Sequence, residues 1–337
     1  MTNSAAPPSL DDITAAWALI EDSIVVTPIL PLVSERIAEA LPEAARCHLK
    51  LELFQHTGSF KARGALLNVR QLPAASRSRG VTCVSAGNHA IAVAWAARQE
   101  NIPAKVVMMA SADPVRVAAA RALGAEVVQM PDVHAAFAEV DRIVAGEGRT
   151  FVHPFEGRTT CTGTATLGAE FMRQVPGLDA VVIPVGGGGL IGGMSRAIKL
   201  LNPGCKVYGV EPEGADSLTR SLAAGSPQRL EKVATIADSL GAPMALPYSF
   251  GLAQAHVDRV VLLPDRALLT AMALLYDATK LALEPAGAAS TAAAIGPLRD
   301  ELAGKRVGLI ACGSNIGEAR FAAFVAQGRE LLANGAQ

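Results

Sequence analysis

An excess of charge is the first thing missing from this sequence: 30 Lys and Arg stand against 31 Asp and Glu, a formal net charge of −1, and no basic run reaches five residues. Nucleic acid and anionic membrane surfaces are therefore not expected partners. No apolar run reaches the roughly eighteen residues of a membrane span. The start, "MTNSAAPPSLDDI", has neither the basic nor the apolar region of a secretory signal, so a cytoplasmic location is expected. The five cysteines (Cys47, Cys83, Cys161, Cys205, Cys312) form no CxxC pair, which argues against a disulfide framework or a zinc knuckle. HExxH, GxSxG and Walker lysine motifs are absent as well, demoting zinc hydrolases, serine hydrolases and P-loop enzymes.

What is present is a core-forming chain, 50% hydrophobic and only 18% charged, long enough for one large domain or two ordinary ones. Short Val/Ile-rich runs alternate with longer Ala-rich segments. Strands are expected at 47–53, 81–85, 104–109, 125–130, 180–185, 206–211 and 306–311. Helices are expected at "HAIAVAWAARQ", "DPVRVAAARAL" and "ALLTAMALLYDATKLAL". Ser9 with Asp12 three residues on reads as a capping box opening "LDDITAAWALI". Continuous apolar strands separated by helices define an α/β fold with parallel sheets covered on both faces, and such sheets bind ligands where strands lead into helices.

Three strand-to-helix turns stand out. In "VVIPVGGGGLIGGM" a strand ends in Gly186, Gly187, Gly188 and Gly189 and a helix pattern follows at Leu190. Backbone free of Cβ atoms at a helix amino terminus suits a phosphate. Gly187, Gly189 and Gly192 also satisfy GxGxxG, with Glu211 ending the next strand, so a NAD-dependent dehydrogenase stands as an alternative. "VSAGNHAIA" offers Ser85, Gly87 and Asn88 as donors for a carboxylate, with His89 read as a structural residue. "LIACGSNIG" is the third. Lys61, in "HTGSFKARGA", sits just inside a helix start, where the dipole disfavours a cation.

SFKxRGA, SxGNHA and GGGGL, in that order and spacing, resemble the fold-type II pyridoxal phosphate (PLP) enzymes, specifically the serine/threonine dehydratase family, from about Pro28 to Gly317. The resemblance implies two open twisted parallel-sheet domains: a large PLP-binding domain from 1–78 and 154–337, and a small mobile domain at 79–153. It makes Lys61 the Schiff-base lysine and Gly186 to Gly189, with Leu190, the cofactor-phosphate loop. Phe60 would lie beside the cofactor ring, Asn88 on its hydroxyl, Glu284 near it, and Cys312, with Ser314 as fallback, on its nitrogen. A neutral partner there makes the ring a weaker electron sink. Ser85, Ala86, Gly87, Asn88 and His89 would grip the amino-acid carboxylate.

The implied reaction is β-elimination of L-threonine, L-serine or a related β-hydroxy amino acid to a 2-oxo acid and ammonia, by a homodimer. Racemases or specialised hydroxyamino-acid lyases, such as those for hydroxyaspartate or hydroxyectoine, are the enzyme alternatives within the fold; a non-catalytic binding protein that retains the fold is another. Racemization is expected to be poor, because racemases carry a Ser at the position of Ala86. Cys161 to Thr164 and the stretch 235–251 depart from the family pattern. The family's divalent-cation site (Mg or Ca) would use Glu211 and the Ala215 carbonyl, but the third ligand position is Ser217.

Overall fold

Burial on both faces turns the Val/Ile runs into strands of two separate sheets. The structure, a computed structural model, describes residues 6–85 and 87–335. Its strands are Ile29–Pro31 (β1), Arg46–Lys50 (β2), Val81–Val84 (β3), Ala104–Met109 (β4), Glu126–Met130 (β5), Thr150–Phe151 (β6), Ala180–Pro184 (β7), Lys206–Pro212 (β8), Arg259–Leu263 (β9) and Arg306–Ile310 (β10). One sheet runs β1-β2-β10-β7-β8-β9 and the other β5-β4-β3-β6. Pairing is parallel except for β1, which lies antiparallel on β2.

Most expected strands lie within a residue or two of their place; the first ends early, at Lys50, where a 3-10 turn Glu52–Phe54 follows. Three strands were not expected. β1 is a three-residue edge and β6 has two residues, too short to show a pattern. β9 is an edge strand whose apolar run continues toward the next helix across Pro264. That helix, Asp265–Thr279, stops short of the expected 283: Lys280 turns left-handed at φ 63°, and Pro285 opens the next helix, Pro285–Ile295. The Ser9 capping box is present, the hydroxyl accepting from Asp12 N at 3.1 Å and the Asp12 carboxylate accepting from Ser9 N at 2.8 Å.

Apolar side chains cover each sheet separately: Val181, Ile183, Val207 and Leu309 belong to the larger core, Val81, Cys83, Val106 and Met108 to the smaller. All five cysteines are buried and unpaired. Beneath the larger sheet's edge lies a fully buried quartet of charges. Arg63 donates to Glu52 at 2.8 and 2.9 Å and to Glu170 at 3.0 Å, while Lys50 donates to Glu170 and to the Thr27 carbonyl. Two cations and two anions cancel, which is what allows four ionised groups to leave water. Among the described residues, no helix is long and apolar enough to cross a membrane.

Candidate active site

Lys61 is the first residue of the helix Lys61–Arg70, whose N-cap, Phe60, supplies no side-chain cap. The lysine is half-buried at the floor of a cavity of about 190 Å³ between the two sheets, where Nζ donates to the Pro154 carbonyl. Burial brings its amine down to about 8, against the opposing pull of Cys312, Cys161 and Glu284. An amine that titrates there is available as a nucleophile or base near neutral pH. The Phe60 ring lies beside it, its centroid 5.0 Å from Nζ.

The glycine turn after β7 faces the same cavity, and the first turn of the helix it opens, Gly189–Leu201, has no preceding carbonyls to take its amides. Here glycine is a requirement of space. A Cβ on Gly187 would fall 2.2 Å from the Phe155 ring, one on Gly189 would fall 2.7 Å from Phe155 backbone, and Gly188 holds φ +90°. The turn can therefore hold a phosphate on bare backbone amides, with Leu190 buried behind it. His153 braces the opposite strand of chain, its Nδ1 accepting from Phe155 N and Glu156 N at 3.3 and 3.0 Å. Glu156 in turn caps the helix Pro247–His256 and binds the Ser249 hydroxyl at 2.8 Å.

Ser85 and Gly87 leave β3 in a tight turn, Gly87 N donating to the Ser85 hydroxyl at 3.0 Å. Ala86 lies outside the described residues. Asn88 opens the helix Asn88–Gln99; its side-chain amide donates to Glu284 at 2.7 Å and its side-chain carbonyl accepts from Asn315 at 2.7 Å. His89 is buried, one ring nitrogen against the Val152 carbonyl at 2.8 Å, and burial drops it to about 3, so it is neutral. Burial raises the Glu284 carboxyl, with Arg116 opposing.

Cys312, just past β10, lines the cavity, and burial pushes its thiol well up. Ser314 lies instead beside Gly58, its amide donating to that carbonyl at 3.0 Å. The Glu211 carboxylate has another use than the one expected. It accepts from Leu218 N, Thr219 N and the Thr219 hydroxyl at 2.7 to 2.8 Å, serving the amino terminus of the helix Ser217–Ala224, and burial lifts it to about 7. Among the described residues no group of three His, Cys, Asp or Glu side chains is placed to hold a metal, so the cation expected at Glu211 and Ala215 gains no support.

Sequence reasoning missed Arg116, which enters the cavity wall from the helix Pro114–Ala122. It donates to both Asp238 oxygens at 2.9 and 3.2 Å, to Glu284 at 3.1 Å and to the Asn315 carbonyl at 2.9 Å. This joins the four-stranded sheet to the rim of the larger one. No local motif signals it, because its partners lie more than a hundred residues away in sequence.

A lysine whose amine burial brings down to about 8, a bare-backbone turn at a helix start and a second strand-to-helix turn around one cavity are the parts of a PLP site. The chain belongs to the pyridoxal-phosphate dependent enzyme family, whose profile matches residues 20–313. It is 50% identical to the phenylserine dehydratase of Ralstonia pickettii, over 94% of this chain and 95% of that protein. It is 39% identical to the L-threonine ammonia-lyase of Thermotoga maritima, over 80% of this chain and 67% of that protein. The solved structure of maize serine racemase matches with a TM-score of 0.89 at 31% identity, covering 97% of this chain and 100% of that one. In this family Gly187, Gly189 and Gly192 are not read as a dinucleotide fingerprint.

Proposed function

We propose that the protein is a PLP-dependent ammonia-lyase converting a β-hydroxy amino acid, L-threonine, L-serine or a related one, to a 2-oxo acid and ammonia. The observation that carries this reading is the placement of Lys61 Nζ, its amine brought down to about 8 by burial, in one cavity with the Gly186 to Gly189 turn and with Ser85, Gly87 and Asn88. The relatives named for dehydration and ammonia-lyase chemistry support it.

The Gly186 to Gly189 backbone would hold the cofactor phosphate, Phe60 would flank its ring, and Asn88, Glu284 and Cys312 would line the ring's polar edge. The cofactor supplies the electron sink that makes the substrate's α-proton removable. Lys61 takes that proton on Nζ. Ser85, Gly87 and Asn88 orient the substrate by its carboxylate, which fixes the α-carbon beside the lysine. Loss of the β-hydroxyl as water leaves an enamine; water then replaces its nitrogen, so one 2-oxo acid and one ammonium appear per substrate. Ala86 has no hydroxyl with which to return a proton from the opposite side, which argues against racemization.

The reading includes 79–153 as a body that opens and closes over substrate, a homodimer testable by sedimentation velocity, and a cytoplasmic location, which the five free thiols fit. The deciding experiment supplies the purified protein with PLP and a panel of β-hydroxy amino acids. Equal yields of 2-oxo acid and ammonia are expected. Scrambled α-configuration without 2-oxo acid would replace the reading with a racemase.

A further inference from the structure

The relatives' names differ in the group carried on the β-carbon, a phenyl in phenylserine and a methyl in threonine, and hydroxyaspartate would carry a carboxylate. This chain's own cavity distinguishes these. We propose that Met109, Val133 and Phe137 form an apolar subsite that receives the β-substituent and directs the enzyme toward β-hydroxy amino acids with an aryl side chain. This rests on the β-elimination reading above.

Met109 ends β4, and β4 lies beside β3, pairing Val107 with Val84. Met109 lies two residues beyond that pair, at the cavity end of β4, and lines the same cavity as Ser85. Val133 and Phe137 are four apart on the helix Val133–Glu147, so they share one face. All three are only partly buried and line the cavity, and Met109 and Phe137 pack against the buried cluster of Val84, Val107, Ala136, Val140 and Ile143. A substrate with its carboxylate at the turn and its α-carbon at Lys61 has its β-substituent left to face this wall. Leu240, Ala242 and Pro243, which also line the cavity, add no charge.

A carboxylate substituent meets the wrong field. The cation available to it on the cavity wall, apart from Lys61, is Arg116, and that guanidinium already serves Asp238 and Glu284. A third carboxylate would be repelled by those two. Phe137 and Val133 present nothing to solvate it.

The test uses holoenzyme and two readouts. L-phenylalanine, L-alanine and L-aspartate lack a β-hydroxyl and cannot eliminate, so calorimetry reads their binding alone. L-phenylalanine should bind most tightly and L-aspartate most weakly. Phe137→Ala should weaken L-phenylalanine, and lower kcat/KM for L-phenylserine, by roughly ten- to a hundredfold, with L-alanine binding and L-threonine turnover within about threefold. Phe137→Leu should recover most of the loss. Val133→Ala gives the same selective pattern, smaller, and stands in if Phe137→Ala does not fold. Equal losses for all ligands, or tightest binding of L-aspartate, would overturn the subsite. If wild type prefers L-phenylalanine but eliminates from no β-hydroxy amino acid, the reaction reading fails while the subsite stands.

Discussion

Lys61 gathers three consequences into one side chain. Its replacement by Ala removes the amine but only part of a wall that is already open to the cavity, so the fold should survive. Lys61→Ala should show no borohydride-sensitive visible absorption after addition of PLP and no turnover, with Tm within a few degrees of wild type. The pH dependence of cofactor capture follows from its titration near 8. Only the neutral amine can attack a carbonyl carbon. The loading rate of cofactor-free enzyme should therefore rise with pH and level off above about 8; a rise continuing to the 10.4 of an ordinary lysine would show that burial does not act on this amine. Cys312 offers a separate electronic test. Cys312→Ser should keep most activity, whereas Cys312→Asp should slow 2-oxo acid formation by pairing a ring nitrogen with a negative charge. If Ser314→Ala disturbs the cofactor spectrum and Cys312→Asp does not, the neighbour of the ring is Ser314.

Among elements, the helix that carries Lys61 is anchored by the charge quartet two residues further on. Glu170, from the helix Arg158–Gln174, is the shared acceptor for Lys50 and Arg63. Glu170→Ala leaves an unbalanced buried cation and should cost about 3–5 kcal/mol in denaturant unfolding, well beyond a surface ion pair. Replacing an exposed pair such as Arg259 with Glu301 should cost under about 1 kcal/mol. The contrast also explains what could be read from sequence. The glycine turn, the capping box at Ser9 and strands such as β4 are local patterns, and they are legible because neighbours in sequence make them. Arg63, Glu52 and Glu170 look like ordinary helix charges until the chain folds. β9 was hidden for a different reason: its burial alternates along the strand, but Val260 to Leu263 are all apolar, so the sequence shows no alternation. In the candidate site, motif and spacing pointed to the lysine and glycines that the fold brings to one cavity, while Arg116 and Asp238, paired across 122 positions, gave no such signal.

At the scale of the whole molecule, Arg116 is a clasp between the two sheets. Asp238 is one-third exposed, so its share of stability is small, about 1 kcal/mol. Asp238→Ala should speed hydrogen exchange in the helix Pro114–Ala122 and the Ser85 turn more than in β7 or β8; uniform exchange in both bodies would count against a clasp. The buried thiols make the same question measurable without mutation. Cys83 lies in the smaller sheet, Cys47 and Cys205 in the larger body, and Cys161 and Cys312 near the cavity, and none is exposed in the native fold. The enzyme thus carries its own set of timed reporters: an alkylating reagent can mark each one only when its surroundings open. The order in which the five become labelled, read peptide by peptide in a mass spectrometer, would record which half of the molecule breathes first and whether bound cofactor slows one half or both.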